Sequence, residues 1–104
     1  MQAGDSAGAQ RSLMQAYELD SANPVVGYNL ALLLYQRRDD VRAQFYIRRV
    51  NNGPSANAES LWLGMRIERR LGNAEAVSQL GMQLRRRFPD ARETLAYERG
   101  NFND

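Results

Sequence analysis

The chain has 104 residues, 43% apolar and 25% charged with a formal net charge of +2, which suits one soluble globular domain with a modest core. It contains no cysteine and no histidine, so disulfides, thiol nucleophiles, imidazole bases and the usual zinc ligands are excluded together. No run of 18 apolar residues exists to cross a membrane, and MQAGDSAGAQ lacks the basic start and apolar stretch of a signal peptide.

In chain order, Gly4-Asp5-Ser6 opens a first helix with Ala9, Leu13, Ala16 and Tyr17 on one face. Met1 is followed at once by this helix-forming sequence, which fits a start inside a longer natural chain. Asn23 is placed to cap a second helix and Pro24 to occupy its first position; this helix runs to about Arg37 with Leu30, Ala31, Leu34 and Tyr35 at helical intervals. Asp39 and Asp40 break it and cap a third, which carries Val41, Ala43, Ile47 and Val50. Asn51-Asn52-Gly53-Pro54 is the strongest turn signal in the chain. A fourth helix is expected from about Asn57 to Leu71, closed by Gly72 as a left-handed terminator. Asn73 caps a fifth, holding Ala76, Val77, Leu80 and Leu84 and stopping at Phe88-Pro89. Asp90 with Glu93 three residues on resembles a capping box for a last helix through Tyr97, and the chain beyond Gly100 is expected to fray.

The apolar pattern repeats. Ala9, Leu13 and Ala16 recur 34 residues later as Ala43, Ile47 and Val50, while Gly27, Leu30, Ala31, Leu34, Ala43 and Ile47 recur 33 later as Ser60, Leu63, Gly64, Ile67, Ala76 and Leu80. This spacing is that of stacked helix hairpins and matches the tetratricopeptide pattern, with Gly27-x2-Leu30-Ala31-x2-Leu34 then Ala43-x3-Ile47, and Ser60-x2-Leu63-Gly64-x2-Ile67 then Ala76-x3-Leu80. Small residues mark close helix crossings and larger ones fill the opposing groove. Gly27 and Ser60 replace the usual large aromatic, so packing at those points must differ. The expected fold is an all-α tetratricopeptide-repeat solenoid of about two and a half helix hairpins plus a C-terminal capping helix. Its parts are the second helix of a truncated repeat over 5–20, repeats over 24–51 and 55–88, a cap over 90–99 and a tail over 101–104, with 1–100 as one domain.

SANPVVGYNLALLLYQRRDDVRAQFYIRRV, AESLWLGMRIERRLG and QLRRRFPDARE resemble the C-terminal part of the type IV pilus biogenesis and stability proteins, the PilW/PilF-type pilotins. SLWLG-x-RIERRLG and QLRRRFP carry the resemblance, which spans roughly residues 10 to 100. It implies a repeat lipoprotein on the periplasmic side of the outer membrane that assists localisation and multimerisation of the secretin. A lipidated N-terminal cysteine is not in these residues, so a membrane anchor is implied by the resemblance alone.

The first helix of each such hairpin lines the concave face. The candidate protein-binding residues are therefore Tyr28, Asn29, Leu32 and Tyr35 in one repeat and Leu61, Trp62, Met65 and Arg69 in the next, with Val25, Gln36 and Glu68 beside them. Aromatic side chains and methionine on one concave surface suit a peptide or helix groove; the alternative is that Trp62 and Tyr35 belong to the core. The clusters Arg37-Arg38, Arg48-Arg49, Arg69-Arg70 and Arg85-Arg86-Arg87 each close a predicted helix, where cations complement the dipole. A basic nucleic-acid-binding repeat is the rival they raise, and a net charge of only +2 argues against it. Carboxylates are capping or scattered and no phosphate loop is present, so neither an enzyme nor a cofactor is expected. The partner is a protein, a secretin or other pilus component, although a generic adaptor of another pathway would share this fold. The face of the first helix carrying Leu13, Ala16 and Tyr17 lacks its partner helix, which predicts self-association through that end.

Overall fold

A computed structural model describes residues 3–102. Among them the helices are α1 (Ala3–Leu19), α2 (Pro24–Gln36), α3 (Asp40–Asn51), α4 (Ala58–Arg70), α5 (Ala74–Arg87) and the short α6 (Arg92–Glu98). The described residues contain no strand. Helix α2 pairs with α3 and α4 with α5; α1 lies against α2, α3 against α4, and α6 against both α4 and α5. This is the expected hairpin array closed by a terminal helix.

Local chemistry sets most boundaries. The Asn23 side chain accepts from the Val25 N–H at 2.9 Å, and Pro24 takes the first helical position, where its missing N–H costs nothing. At α4 the Asn57 side chain accepts from the Ser60 N–H at 2.8 Å while Ser60 Oγ accepts from the Asn57 N–H at 2.8 Å. This capping box explains why Ser60 stands where a repeat usually carries a large aromatic.

Three helices end in the same reversal. In α4 the Asn73 N–H donates to the Glu68 carbonyl at 2.9 Å across Gly72 at φ 79°; in α6 the Asn101 N–H donates to the Ala96 carbonyl at 2.9 Å across Gly100 at φ 69°. In α2 the matching bond, Asp39 N–H to Leu34 carbonyl at 2.8 Å, crosses Arg38 at φ 62°. A side-chain-bearing residue in that region costs about 1–2 kcal/mol relative to right-handed backbone, and glycine avoids most of it. Arg38→Gly is therefore expected to stabilise the protein by about 0.5–1 kcal/mol, read as a higher urea midpoint; an unchanged or lower midpoint would show that Arg38 contributes contacts that outweigh the strain.

Two caps differ from expectation. Asn73 occupies the N-cap of α5 but makes no capping bond; its amide nitrogen donates to Glu68 Oε1 at 2.8 Å. The N-cap of α6 is Ala91 rather than Asp90, and no side chain caps it.

The core has two centres. One joins Leu30, Ala31, Leu34, Tyr35, Ala43, Tyr46, Ile47, Val50, Leu63 and Ile67, with Leu13, Met14 and Tyr17 of α1 packed on it. The other joins Ala56, Leu61, Met65 and Leu84, edged by Trp62, Val77, Leu80, Phe88, Tyr97 and Phe102. Gly27 is small because a Cβ there would lie 2.8 Å from Val50 Cγ2, with Tyr17 close behind at 3.9 Å. Ala43 and Ile47 are fully buried, but their counterparts Ala76 and Leu80 are only half-buried. No further hairpin follows α5 among the described residues; α6 covers the side carrying Gly81 and Leu84 instead.

The face of α1 expected to be bare is not. Leu13 and Tyr17 pack against the first core centre, Ala16 is half-buried, and Arg11, Ser12, Gln15 and Glu18 point outward. The apolar stripe of α1 therefore has one neighbour within the chain, the first core centre, and its remaining exposed part is where self-association through this end would be read, by sedimentation at high micromolar concentration.

Candidate functional site

The sequence-predicted binding residues divide between surface and interior. Leu61 and Met65 are 0% exposed and Tyr35 is 5% exposed, so these three belong to the core and not to a groove. The cause lies at the end of the array, where the two side chains on α4 sit in one cluster with Leu84 of α5, bordered by Tyr97 of α6 and Phe102. Tyr35 instead closes α2, where the guanidinium of Arg70 lies 3.7 Å from its ring centroid and that of Arg66 5.1 Å. Tyr28, Leu32 and Trp62 are half-buried, while Asn29 and Arg69 are exposed.

Tyr28 and Leu32 of α2 meet Trp62 and Arg66 of α4 in a cleft of about 360 Å³ whose opposite wall is Arg92, Glu93 and Ala96 of α6. The sequence reading missed Arg66, although it lies four residues after Trp62 and hence on the same helical face. The α6 wall had no local signal, since only the tertiary packing brings residues 92–101 over residues 28–66. Burial, assisted by the Glu59 charge and opposed by Arg66, pushes the Tyr28 hydroxyl above its ordinary value of 10.0. It therefore stays a neutral donor at the cleft edge. The cleft thus has an apolar and aromatic floor of Tyr28, Leu32 and Trp62 and a rim carrying both charges, from Arg66, Arg92, Glu59 and Glu93.

Phe102, placed in the tail expected to fray, is docked; residues 103–104 of that tail lie outside the described residues. Its ring stacks on Trp62 with centroids 5.5 Å apart and planes 8° from parallel, and the Arg69 guanidinium sits 4.5 Å from its centroid. Trp62 and Arg69, separated on the helix, are thus joined by a ring from the C-terminal segment.

Polar ties join the hairpins. Glu68, 2% exposed, accepts from Arg48 Nε at 2.7 Å, Gln44 Nε2 at 2.8 Å and Asn73 Nδ2 at 2.8 Å, so α3, α4 and the start of α5 share one carboxylate. Burial alone would raise the Glu68 pKa and is the largest single influence, but hydrogen bonds from Arg48, Asn73 and Gln44, with the Arg48 charge, outweigh it and the net displacement is downward. A carboxyl whose folded pKa is below its unfolded one contributes stability above the unfolded value and loses it as pH falls through the folded one. Stability from this group should be constant down to about pH 5 and decline below its ordinary value of 4.5. Urea midpoints taken from pH 7 to pH 3 should therefore fall less steeply for Glu68→Gln than for the wild type; parallel curves would refute the assignment.

Four of the nine clustered arginines make polar contacts within the molecule. Arg70 clamps Asp40, Arg48 holds Glu68, Arg85 lies 3.3 Å from Glu98 and Arg87 donates to the Ala56 carbonyl at 3.2 Å. Among the described residues no group of three or more acidic side chains could hold a metal ion, and no helix is long and apolar enough to cross a membrane.

No family model matches the chain. It is 30% identical over 92 residues to the type IV pilus assembly protein PilF of Pseudomonas aeruginosa, a match covering 88% of this chain and 36% of that protein. A solved structure of Pseudomonas aeruginosa PilF superimposes with a TM-score of 0.80 at 28% identity, over 93% of this chain and 44% of that one. The chain thus spans about a third of the length of the curated relative it matches.

Proposed function

We propose, from the premise that this chain is a tetratricopeptide-repeat segment of the PilF type, that it is a non-catalytic protein-binding scaffold serving type IV pilus biogenesis. The observation that carries this reading is the cleft of Tyr28, Leu32, Trp62 and Arg66, faced by α6, on an array of that type. Its partner is a polypeptide segment of the secretin or of another pilus-assembly component, held at the periplasmic side of the outer membrane. The role is to promote secretin localisation and multimerisation, with an N-terminal lipid anchor belonging to sequence outside this chain.

A fixed platform suits this role because little ordering entropy is lost by the scaffold on association, so a few aromatic anchors suffice. Glu68 and Arg70 tie the hairpins together and hold the cleft walls in register.

The test is capture from bacterial envelope extract with the immobilised chain. Trp62→Ala is expected to lower recovery of the bound partner by about tenfold or more, the scale of a truncated aromatic anchor. Equal recovery of the same partners by both proteins would remove the site assignment.

A further inference from the structure

The contact of Phe102 has the form of a bound ligand. Its ring contacts both the flat face of the Trp62 indole and the guanidinium of Arg69, two groups that accept any π ring by stacking and by cation–π attraction. The segment bearing it is anchored elsewhere: the Thr94 hydroxyl donates to the Phe88 carbonyl at 2.6 Å, and Tyr97 lies directly over Gly81. Gly100 at φ 69° then turns the chain back, so that Asn101 joins the cleft wall and Phe102 lands on α4. Trp62 belongs to both places, since it lines the cleft and stacks with Phe102. A polypeptide lying in the cleft would reach the slot with its next side chain.

We propose that Trp62 and Arg69 form a recognition slot for an aromatic side chain of the partner polypeptide, and that Phe102 fills this slot in cis as a displaceable stand-in. The proposal rests on the protein-binding reading of the same cleft and adds the residue class it selects and the competitor it must displace. A tethered ring is present at millimolar effective concentration, so it lowers the apparent affinity for a free segment by the fraction of time the slot is closed. Partner binding then carries a threshold, because a segment without an aromatic residue gains too little to expel Phe102.

Trp62 is the only tryptophan, so its emission reports the slot directly. Phe102→Ala should red-shift that emission and Phe102→Tyr should leave it unchanged. A dye-labelled synthetic peptide copying residues 97–102 serves as the probe in trans, followed by anisotropy. It should bind Phe102→Ala about tenfold more tightly than the wild type. The same peptide with alanine in place of its phenylalanine should not show this gain, nor should the Phe102→Ala/Arg69→Ala double variant. If Phe102→Ala loses helix content by circular dichroism, Phe102→Leu, which keeps apolar cover without a π face, is measured in its place. Unchanged Trp62 emission, equal affinity of wild type and variant, or equal binding of both peptides would overturn the proposal. Capture of envelope partners by the wild type is a separate readout: its success beside a failed peptide test leaves the scaffold reading standing without the slot.

Discussion

Met65→Ala and Leu61→Ala are each expected to lower the unfolding free energy by about 2–5 kcal/mol, the range for emptying a fully buried large side chain. Both side chains are 0% exposed and meet Leu84 in the second core centre. With α6 closing the far side, the neighbours cannot collapse freely into the space left behind. For a domain of this size each kcal/mol moves the melting temperature by roughly 4–8 °C. Trp62→Ala removes a half-buried ring at the edge of the same cluster, so its larger effect should be on partner capture. Thermal melts of the three variants beside the wild type make the comparison. If Leu61→Ala and Met65→Ala melted with the wild type yet lost partner recovery, the two residues would belong to the binding surface after all.

Arg70→Ala is expected to cost about 3 kcal/mol, because it strips a largely buried carboxylate of its counter-ion. Arg70 Nε lies 3.1 Å from both oxygens of Asp40, its Nη2 donates to the Tyr35 carbonyl at 2.7 Å, and its guanidinium covers the Tyr35 ring. One side chain of α4 thus fastens the end of α2 to the beginning of α3. Lysine cannot reproduce a bidentate fork, a carbonyl bond and a flat stacking surface together, so Arg70→Lys should recover only a minor part of the loss. In a double-mutant cycle Asp40→Ala should cost much less in the Arg70→Ala background than in the wild type. Additive losses, showing no coupling between the two positions, would contradict this picture.

Much of this architecture is legible without coordinates. Leu30, Ala31, Leu34, Ala43 and Ile47 recur at a fixed spacing because each hairpin presents the same face to the next. Asn23-Pro24 and Gly72 announce their helix ends through local hydrogen bonding and backbone freedom. The Arg clusters at helix C-termini were visible for the same local reason, although their individual partners were not. Of the candidate site, Tyr28, Leu32 and Trp62 lie in the cleft; Arg66 was within reach of a stricter helical projection.

The sequence by itself determined an all-α repeat array and its hairpin order, since those follow from periodicity and turn chemistry acting over a few residues; the likeness to PilF rested instead on particular residues, SLWLG-x-RIERRLG and QLRRRFP. Only the tertiary structure decided which side of α4 is covered, that Leu13 and Tyr17 of α1 pack on the first core centre, that Glu68 is a buried tie, and that Phe102 docks on Trp62. The physical reason is range. Burial of Leu61 or Met65 depends on where the terminal helix folds back, and Arg48–Glu68 or Arg70–Asp40 join residues whose spacing along the chain carries no periodic mark.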